Sequence, residues 1–355
     1  MRVYTSDVWD RMRECPVSLC LYGTGGGADK ILDQMDQRSI PPTGILVSED
    51  FYRGQQFRGF SVTTLKRLEE TGQAFAVVVS FGSHLPELIS RIQEIEKNHP
   101  VFIPDVPVAG DEIFDLAFYQ HHLDELERAR ALLADDESRH VFDQIIEYKL
   151  TGDPAPLWES ASSKEDVFKS LLRLSSDEAY IDAGAYQGDT LQEFLDHTES
   201  YRWMLAMEMD PYNFKRLKKK WESHPRTFLF HAACGLKNGT LYLEKSRGRG
   251  SHALSSPSSE SAQAVPVLPL DCLELPSPPT YLKIDVEGQE RETLLGASHL
   301  IGTYHPKLNI ACYHRSRDLY ELPLLLKELQ GRYRMYLRRH PCFPCWDLNL
   351  YAVVE

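Results

Sequence analysis

Several residues have types and spacings that could do chemistry. In the run YIDAGAYQGDT, Gly184 and Gly188 follow an apolar stretch and precede a helix-like one. Glycines placed so let the backbone turn tightly and approach a ligand that a side chain would exclude. Asp182 precedes the first of them, and Ala185 and Asp189 complete the loop. Glu208 ends the next apolar run, where a carboxylate can accept both hydroxyl hydrogens of a ribose. Asp182 suits the other end of such a ligand, directly or through water. In LKIDVEG, Lys283, Asp285 and Glu287 alternate, which places them on one side of a strand with Asp285 near its C-terminal end. His314 ends the following strand pattern, where a neutral imidazole could take a proton near neutral pH. A buried Lys–Asp pair is also an ordinary structural device. Asp285 and Glu287 could share a divalent metal with a third ligand, but two carboxylates alone do not define a metal site and none is expected. A second glycine run, LYGTGGGADKI, puts the amides of Gly23, Gly25, Gly26 and Gly27 at a helix start. They could cradle a phosphate there, or serve tight strand–helix packing.

The elements that must position these residues fall into three stretches. Over 1–110, strand patterns VSLCLYG, TGILVSED, AFAVVVSFG and VFIPDV alternate with helices DKILDQMDQ, TTLKRLEETG and LPELISRIQEIEKN. That alternation predicts a small parallel, Rossmann-like α/β domain. Residues 111–176 read as a helical connector free to pack on either side, broken at TGDPAP. From 177 to 355 a second α/β series contains seven core strands: EAYIDAG, RWMLAMEMD, TFLFHAAC, TYLKIDVEG, PKLNIACYH, RYRMYLRR and DLNLYAVVE. The last two lack an intervening helix and predict an antiparallel hairpin at the sheet edge. GTLYLEK and AVPVLPL read as extra strands flanking GRGSHALSSPSSESAQ, a loop suited to be a lid or a plain surface segment. Asp271, with Glu274 three positions on, fits the N-cap of a short helix.

YIDAGAYQGDT, followed by AMEMDPYNFKRL, HAACG, YLKIDVEGQE with LLGA, and CYHRSRDLYELP, resembles the FkbM family of methyltransferases over roughly residues 176 to 355. The resemblance implies a class I methyltransferase fold, a seven-stranded Rossmann-like sheet. It also implies S-adenosylmethionine (SAM) as methyl donor and transfer to a hydroxyl, commonly of a sugar or natural product. Asp182, Gly184, Ala185, Gly188, Asp189, Glu208, Met209 and Asp285 fall on the cofactor motifs, and Ala232 and Ala233 fall where the adenine is bordered. Two positions depart from the family's habit: Tyr186 stands where many members have Asn, and Met209 where many have Pro. Neither change removes a necessary polar group. Methyl transfer from a sulfonium is an in-line displacement, so the protein mainly aligns the acceptor and removes its proton. Asp285, His314, Lys283 and Glu287 are the catalytic candidates. The N-terminal unit resembles that of PglD-type acetyltransferases, which implies binding of a nucleotide-linked sugar or a docking role. GTGGGA lacks the full GxGxxG spacing, so a nicotinamide dinucleotide is the secondary reading for it. A dinucleotide-dependent sugar-modifying enzyme and a noncatalytic scaffold on the same fold are the competing functions.

The chain has 355 residues and a net charge of −13, which disfavours nonspecific binding to nucleic acid or anionic membrane. No apolar run reaches the ~18 residues of a membrane span, and MRVYTSDVWDRMREC lacks a signal-peptide core. A cytoplasmic protein is expected, with a carbohydrate or nucleotide-linked sugar as substrate; a homo-oligomer is compatible with the sequence. Seven scattered cysteines suit reduced thiols. Only Cys342 and Cys345 form a CxxC, with His340 nearby, and the pattern falls short of a zinc site.

Overall fold

The computed structural model describes residues 2–245, 251–254 and 262–354. The chain opens with α1 (Val8–Arg13), capped by Asp7, and continues through β1 (Ser18–Tyr22), α2 (Gly26–Gln37), β2 (Gly44–Val47) and the short hairpin β3 (Gln56–Phe57) and β4 (Phe60–Thr64). Then come α3 (Leu65–Glu69), β5 (Phe75–Val79), α4 (Pro86–Glu96) and β6 (Val101–Phe102). These strands form one sheet in the order β3-β4-β2-β1-β5-β6, parallel except for the β3–β4 pair. β5, between β1 and β6, is buried along its whole length, which explains its unbroken FAVVV run. β4 was not foreseen: FSVTT is polar and half-buried, and the expected helix over TTLKRLEETG starts only after it.

The predicted connector is helical, with α5 (Leu116–His121), α6 (Leu123–Ala131), α7 (Asp136–Thr151), α8 (Ala155–Glu159) and α9 (Lys164–Asp166), the last running into a π-helical turn over Val167–Leu172. Gly152 ends α7 in the left-handed region, where an added Cβ would also lie 2.4 Å from Val8.

The second series begins with β7 (Glu178–Ala183), α10 (Asp189–Asp196), β8 (Tyr201–Glu208), α11 (Pro211–Trp221), β9 (Thr227–His231) and β10 (Ala233–Cys234). β11 (Gly239–Lys245), β12 (Ser251–Leu254) and β13 (Gln263–Leu268) join β10 in a separate four-stranded sheet. Most of the expected loop GRGSHALSSPSSESAQ lies outside the described residues. The series resumes with β14 (Tyr281–Ile284), α12 (Glu290–Leu295), α13 (Ser298–Tyr304), β15 (Lys307–Ala311), α14 (Asp318–Leu329), β16 (Arg334–Arg339) and β17 (Leu348–Val353). The seven expected strands assemble in the order β16-β17-β15-β14-β7-β8-β9, with β17 antiparallel to both its neighbours. This order, reversing beside β7, is the class I methyltransferase sheet. Asp271 departs from its expected role as cap of its own short helix. Its carboxylate accepts from His299 and Leu300 N–H, at 2.8 and 2.9 Å, and so caps α13.

One apolar core runs through the molecule. Cys20, Tyr22, Val77 and Val79 from one face of the first sheet, Phe142, Ile145 and Ile146 of α7, and Ile181, Ala183 and Ile284 from the second sheet belong to a single buried cluster. The alternate residues, such as Leu21 and Val78 or Tyr180 and Met204, face two smaller clusters on the outer sides. The connector therefore packs on both sheets. It also covers the free edge of β16 through bridges Leu133–Met335 and Ala161–Arg339. Arg339, with no exposed surface, donates to the carbonyls of Leu157, His340 and Cys342 and to Ser160. The Cys342 and Cys345 thiols are buried and pushed up to about 12 by that burial. His340 spends both ring nitrogens on Ser162 O and Tyr351 Oη, each at 2.9 Å.

Lys149 of α7 forms a buried ion pair with Asp105, which also accepts from the Cys345 thiol, and the three join the first sheet's exit to the last hairpin. Removing one partner of such a pair leaves an uncompensated charge. Lys149→Met is expected to cost about 3–5 kcal/mol in denaturant unfolding, with part recovered by adding Asp105→Leu. An unchanged midpoint for the single variant would remove this tie from the account.

Candidate functional site

The site lies at the C-terminal ends of β7, β8, β14 and β15, where the strand order reverses. The loop after β7 is built on glycine. Gly184 has φ +89°, and an added Cβ would stand 1.8 Å from Asp285 O. Gly188 has φ +83°, and its Cβ would meet Trp221 Nε1 at 2.1 Å. Both are positions that only glycine fills without displacing backbone or a buried ring. Gly184 and Ala185 N–H donate to Met207 O at 3.0 and 2.9 Å, which ties the loop to β8. Ala185 is fully buried, while Asp189, the first residue of α10, is exposed.

Glu208 sits where β8 ends, only 8% exposed. Its Oε2 accepts from Tyr186 N–H at 2.8 Å and its Oε1 from Asp210 N–H at 2.7 Å. Burial pushes the Glu208 carboxyl up to about 7, against the pull of those two N–H groups. The next residue, Met209, offers its carbonyl to His231 Nε2 at 3.1 Å. His231 is paired with Glu208 across β8 and β9 and stacks on Phe214, so the buried Ala232 and Ala233 begin just beyond the carboxylate's level. Tyr186, at φ +48° and 54% exposed, overhangs the loop.

Asp182 differs from its expected contact with a ligand. It has no exposed surface, and both its oxygens are taken, by Thr190 Oγ1 and by Lys283 Nζ at 3.1 Å. Lys283 also donates to Gly184 O at 2.9 Å and stands 3.7 Å from Asp285 Oδ2. Burial would strip its proton, but Asp182 and Asp285 more than reverse that and hold the ammonium above its usual range. Lys283 thus ties Asp182, Gly184 and Asp285 to one point.

β14 stops at Ile284, so the expected strand alternation does not extend to Glu287. Asp285 N–H still donates to Ala183 O, at 2.9 Å, and Glu287 then turns through φ +54° with its side chain 66% exposed. His314, expected to end a strand, lies in the loop beyond β15, which stops at Ala311. It is 1% exposed, with Nδ1 2.9 Å from Glu290 Oε1 and Nε2 3.5 Å from Asp285 Oδ1 and 3.7 Å from Glu287 Oε2. Burial favours the neutral ring, yet Glu290, then Asp285 and Glu287, push the imidazole up to about 10. The neighbouring carboxylates thus favour a proton on the ring, where the sequence suggested a neutral one.

Sequence reasoning missed Glu290, Thr190, Tyr313 and Asp318. Glu290 is buried and accepts from Val286 and Gly288 N–H, at 2.9 and 3.3 Å. An acidic residue opening the helix pattern after VEG was a signal for it. Tyr313 Oη donates to Asp285 Oδ1 at 3.4 Å. Burial and the charge of Glu290 push buried Asp318 up to about 7, although it accepts from Arg315 N–H at 2.7 Å. The N-terminal glycines divide. Gly23 and Gly27 press on Ser80, at 2.6 and 2.3 Å from an added Cβ, and so serve packing. Gly25 and Gly26 face open space at the start of α2.

The sheet order and the glycine loop define a class I methyltransferase architecture. Residues 182–340 match the family model of the Methyltransferase FkbM domain. The chain is similar to a crystal structure of methyltransferase FkbM from Methylobacillus flagellatus KT, with 21% identity, a TM-score of 0.72, and 95% of this chain and 90% of that one covered. At that identity the likeness speaks for the fold, and it spans both sheets. An rRNA methylase from Streptococcus thermophilus (10% identity, TM-score 0.36, 54% of this chain and 95% of that one) is more distant. So is Aeropyrum pernix fibrillarin in complex with SAM (13% identity, TM-score 0.33, 53% and 74%). No curated protein matches the sequence. Among the described residues no helix is long and apolar enough to cross a membrane.

The two kinds of glycine should separate by mutation. Gly184→Ala, which needs both a left-handed φ and room taken by Asp285 O, is expected to lower stability by at least about 2 kcal/mol. Gly26→Ala, in an open helical turn, should be neutral or gain up to about 1 kcal/mol. Thermal melts of the two variants check this, and equal effects would contradict the geometry.

Proposed function

We propose that this chain is a SAM-dependent O-methyltransferase acting on a hydroxyl of a carbohydrate or natural product, with surface polysaccharide biosynthesis as a fitting role. The observation that carries the reading is Glu208: a carboxylate at the end of β8, its two oxygens each held by one loop N–H and each with acceptor capacity left for a ribose hydroxyl. The methyltransferase domain match supports the donor, and the glycine loop supports close approach of its backbone to the amino-acid end. In this reading Asp182 and Lys283 shape the pocket from behind, while Ala185, Gly188, Asp189, Met209, Ala232 and Ala233 border the cofactor.

The acceptor hydroxyl lies over the end of β14, where Asp285 and Glu287 are the carboxylates with solvent access. One of them takes the proton as the oxygen attacks the methyl carbon in line with the departing sulfur. Lys283 and His314 orient Asp285. The N-terminal unit takes part in recognising a nucleotide-linked acceptor. Lys30 of α2 donates to Pro107 O and Val108 O, at 2.7 and 3.1 Å, and Ala109 N–H donates to His314 O at 2.9 Å. That short chain of contacts leads from the open glycines of α2 to the reaction end of the sheet.

Ribose hydroxyls donate to the ionised form of Glu208. Because its carboxyl is raised to about 7, the ionised fraction falls as pH drops through that value. Calorimetric titration of SAM into the full chain should therefore give an affinity that is level above about pH 8 and weakens below 7, by up to about tenfold per pH unit. Glu208→Ala should weaken it by at least about tenfold and flatten the profile. Methyl-labelled SAM should then yield a base-stable ether on free or nucleotide-linked sugars. Absence of SAM binding by the unaltered protein would overturn the assignment.

A further inference from the structure

Glu290 plays no part in the reading above, yet it lies behind the acceptor end of the site as the first residue of α12. One ligand-type atom each from Asp285, Glu290 and His314 fall within 4.8 Å of one another, across the β14–α12 loop, the first turn of α12 and the loop after β15. The second oxygen of Glu290, on a side chain 1% exposed, has no hydrogen-bond partner. Nδ1 of His314 faces the other oxygen, Glu290 Oε1, at 2.9 Å. Buried polar atoms are almost always satisfied, and an unmatched carboxylate oxygen beside other ligand-type atoms points to a missing partner. Four carboxylates, those of Asp285, Glu287, Glu290 and Asp318, converge on this one imidazole. Lys283 is the other cation against Asp285, and Arg315 is hydrogen-bonded through Nε to Gly288 O at 2.7 Å. Carboxylates outnumber cations here, and Asp285 and Glu287 are the ones with exposed side chains, at 34% and 66%.

We propose that Asp285, Glu290 and His314 form a binding site for a divalent first-row transition-metal ion such as Mn²⁺, Co²⁺ or Zn²⁺. The donor set decides the class of ion. Magnesium and calcium prefer all-oxygen shells, whereas an imidazole with two carboxylates suits the later first-row ions. Asp285 is 34% exposed through its side chain, so an ion held there keeps a coordination position open toward the acceptor. On the proposed O-methyl transfer, that position would take the acceptor hydroxyl and lower its pKa, leaving Glu287 as the free carboxylate for its proton. The ion-binding claim stands apart from that reaction.

The test uses the full chain, stripped with a chelator and desalted. MnCl2 is titrated while the free-ion resonance is followed by electron paramagnetic resonance, and SAM binding is measured on the same sample. The proposal expects saturable uptake of about one Mn²⁺ per chain, weakened at least about tenfold by Glu290→Gln and by Asp285→Asn. Asp285→Asn alters a loop residue outside the core and keeps the test open if Glu290→Gln fails to fold. No saturable uptake by the unaltered protein overturns the proposal, and would fit a proton shared between Glu290 and Asp318. Uptake that survives Asp285→Asn unchanged also overturns it, as an adventitious surface site would behave so. SAM binding without Mn²⁺ uptake would sink the metal site and spare the methyltransferase reading. Mn²⁺ uptake without SAM binding would do the reverse.

Discussion

The arrangement of the site depends on one buried ammonium. Lys283 Nζ holds Asp182 and the carbonyl of Gly184 by hydrogen bonds and stands within ion-pair distance of Asp285. Three segments that the sheet delivers separately, the end of β7, the glycine loop and the loop after β14, are thus fixed to a single point. Burying these charges costs several kcal/mol per ion in desolvation, so the cluster is a poor device for stability alone. Its return is geometric. Gly184 O is pinned, Asp285 O is pressed where a Gly184 side chain would be, and the loop so held brings Tyr186 N–H to Glu208.

The first sheet is joined to this centre. Its exit loop runs past the end of β15, where Ala109 N–H donates to His314 O and Ala109 Cβ occupies the space a side chain on Gly288 would need, 2.4 Å away. Glu112 is gripped by Arg317 through two bonds of 2.6 and 2.7 Å, and its carbonyl accepts from Ser316. His314 is therefore held from both sides, by Glu290 beneath and by the exit loop along its backbone. With the continuous core through α7, this makes the chain a single packed body. A ligand on the first sheet would have a short route for influencing the second.

Much of the fold was legible because its strands are short, apolar and bounded by turn residues. All seven strands of the second sheet stand where the pattern put them, and the missing helix before the last strand correctly implied an antiparallel pair. β4 escaped because a polar, half-buried strand has no distinctive period. The site was legible as residue types but less so as roles. Nothing in YIDAGAYQG says that Asp182 is sealed behind the loop, because that depends on Lys283 and Thr190 reaching it from other elements. The pull toward a protonated His314 likewise comes from Glu290, which the pattern offered only as an acidic start to a helix. Residue identity marks where charge resides. Only three-dimensional neighbours decide whether that charge is spent inside the protein or offered to a ligand.

If Lys283 organises the pocket without touching the cofactor, its loss should act on binding at a distance. The direct measurement is the SAM affinity of folded Lys283→Met protein, compared by calorimetry with the unaltered chain at pH 8. The account predicts at least about a tenfold loss, with a circular dichroism spectrum unchanged from the parent. An affinity equal to the parent's in a variant that has lost its Asp182 and Gly184 bonds would contradict the claim that this ammonium sets the glycine loop.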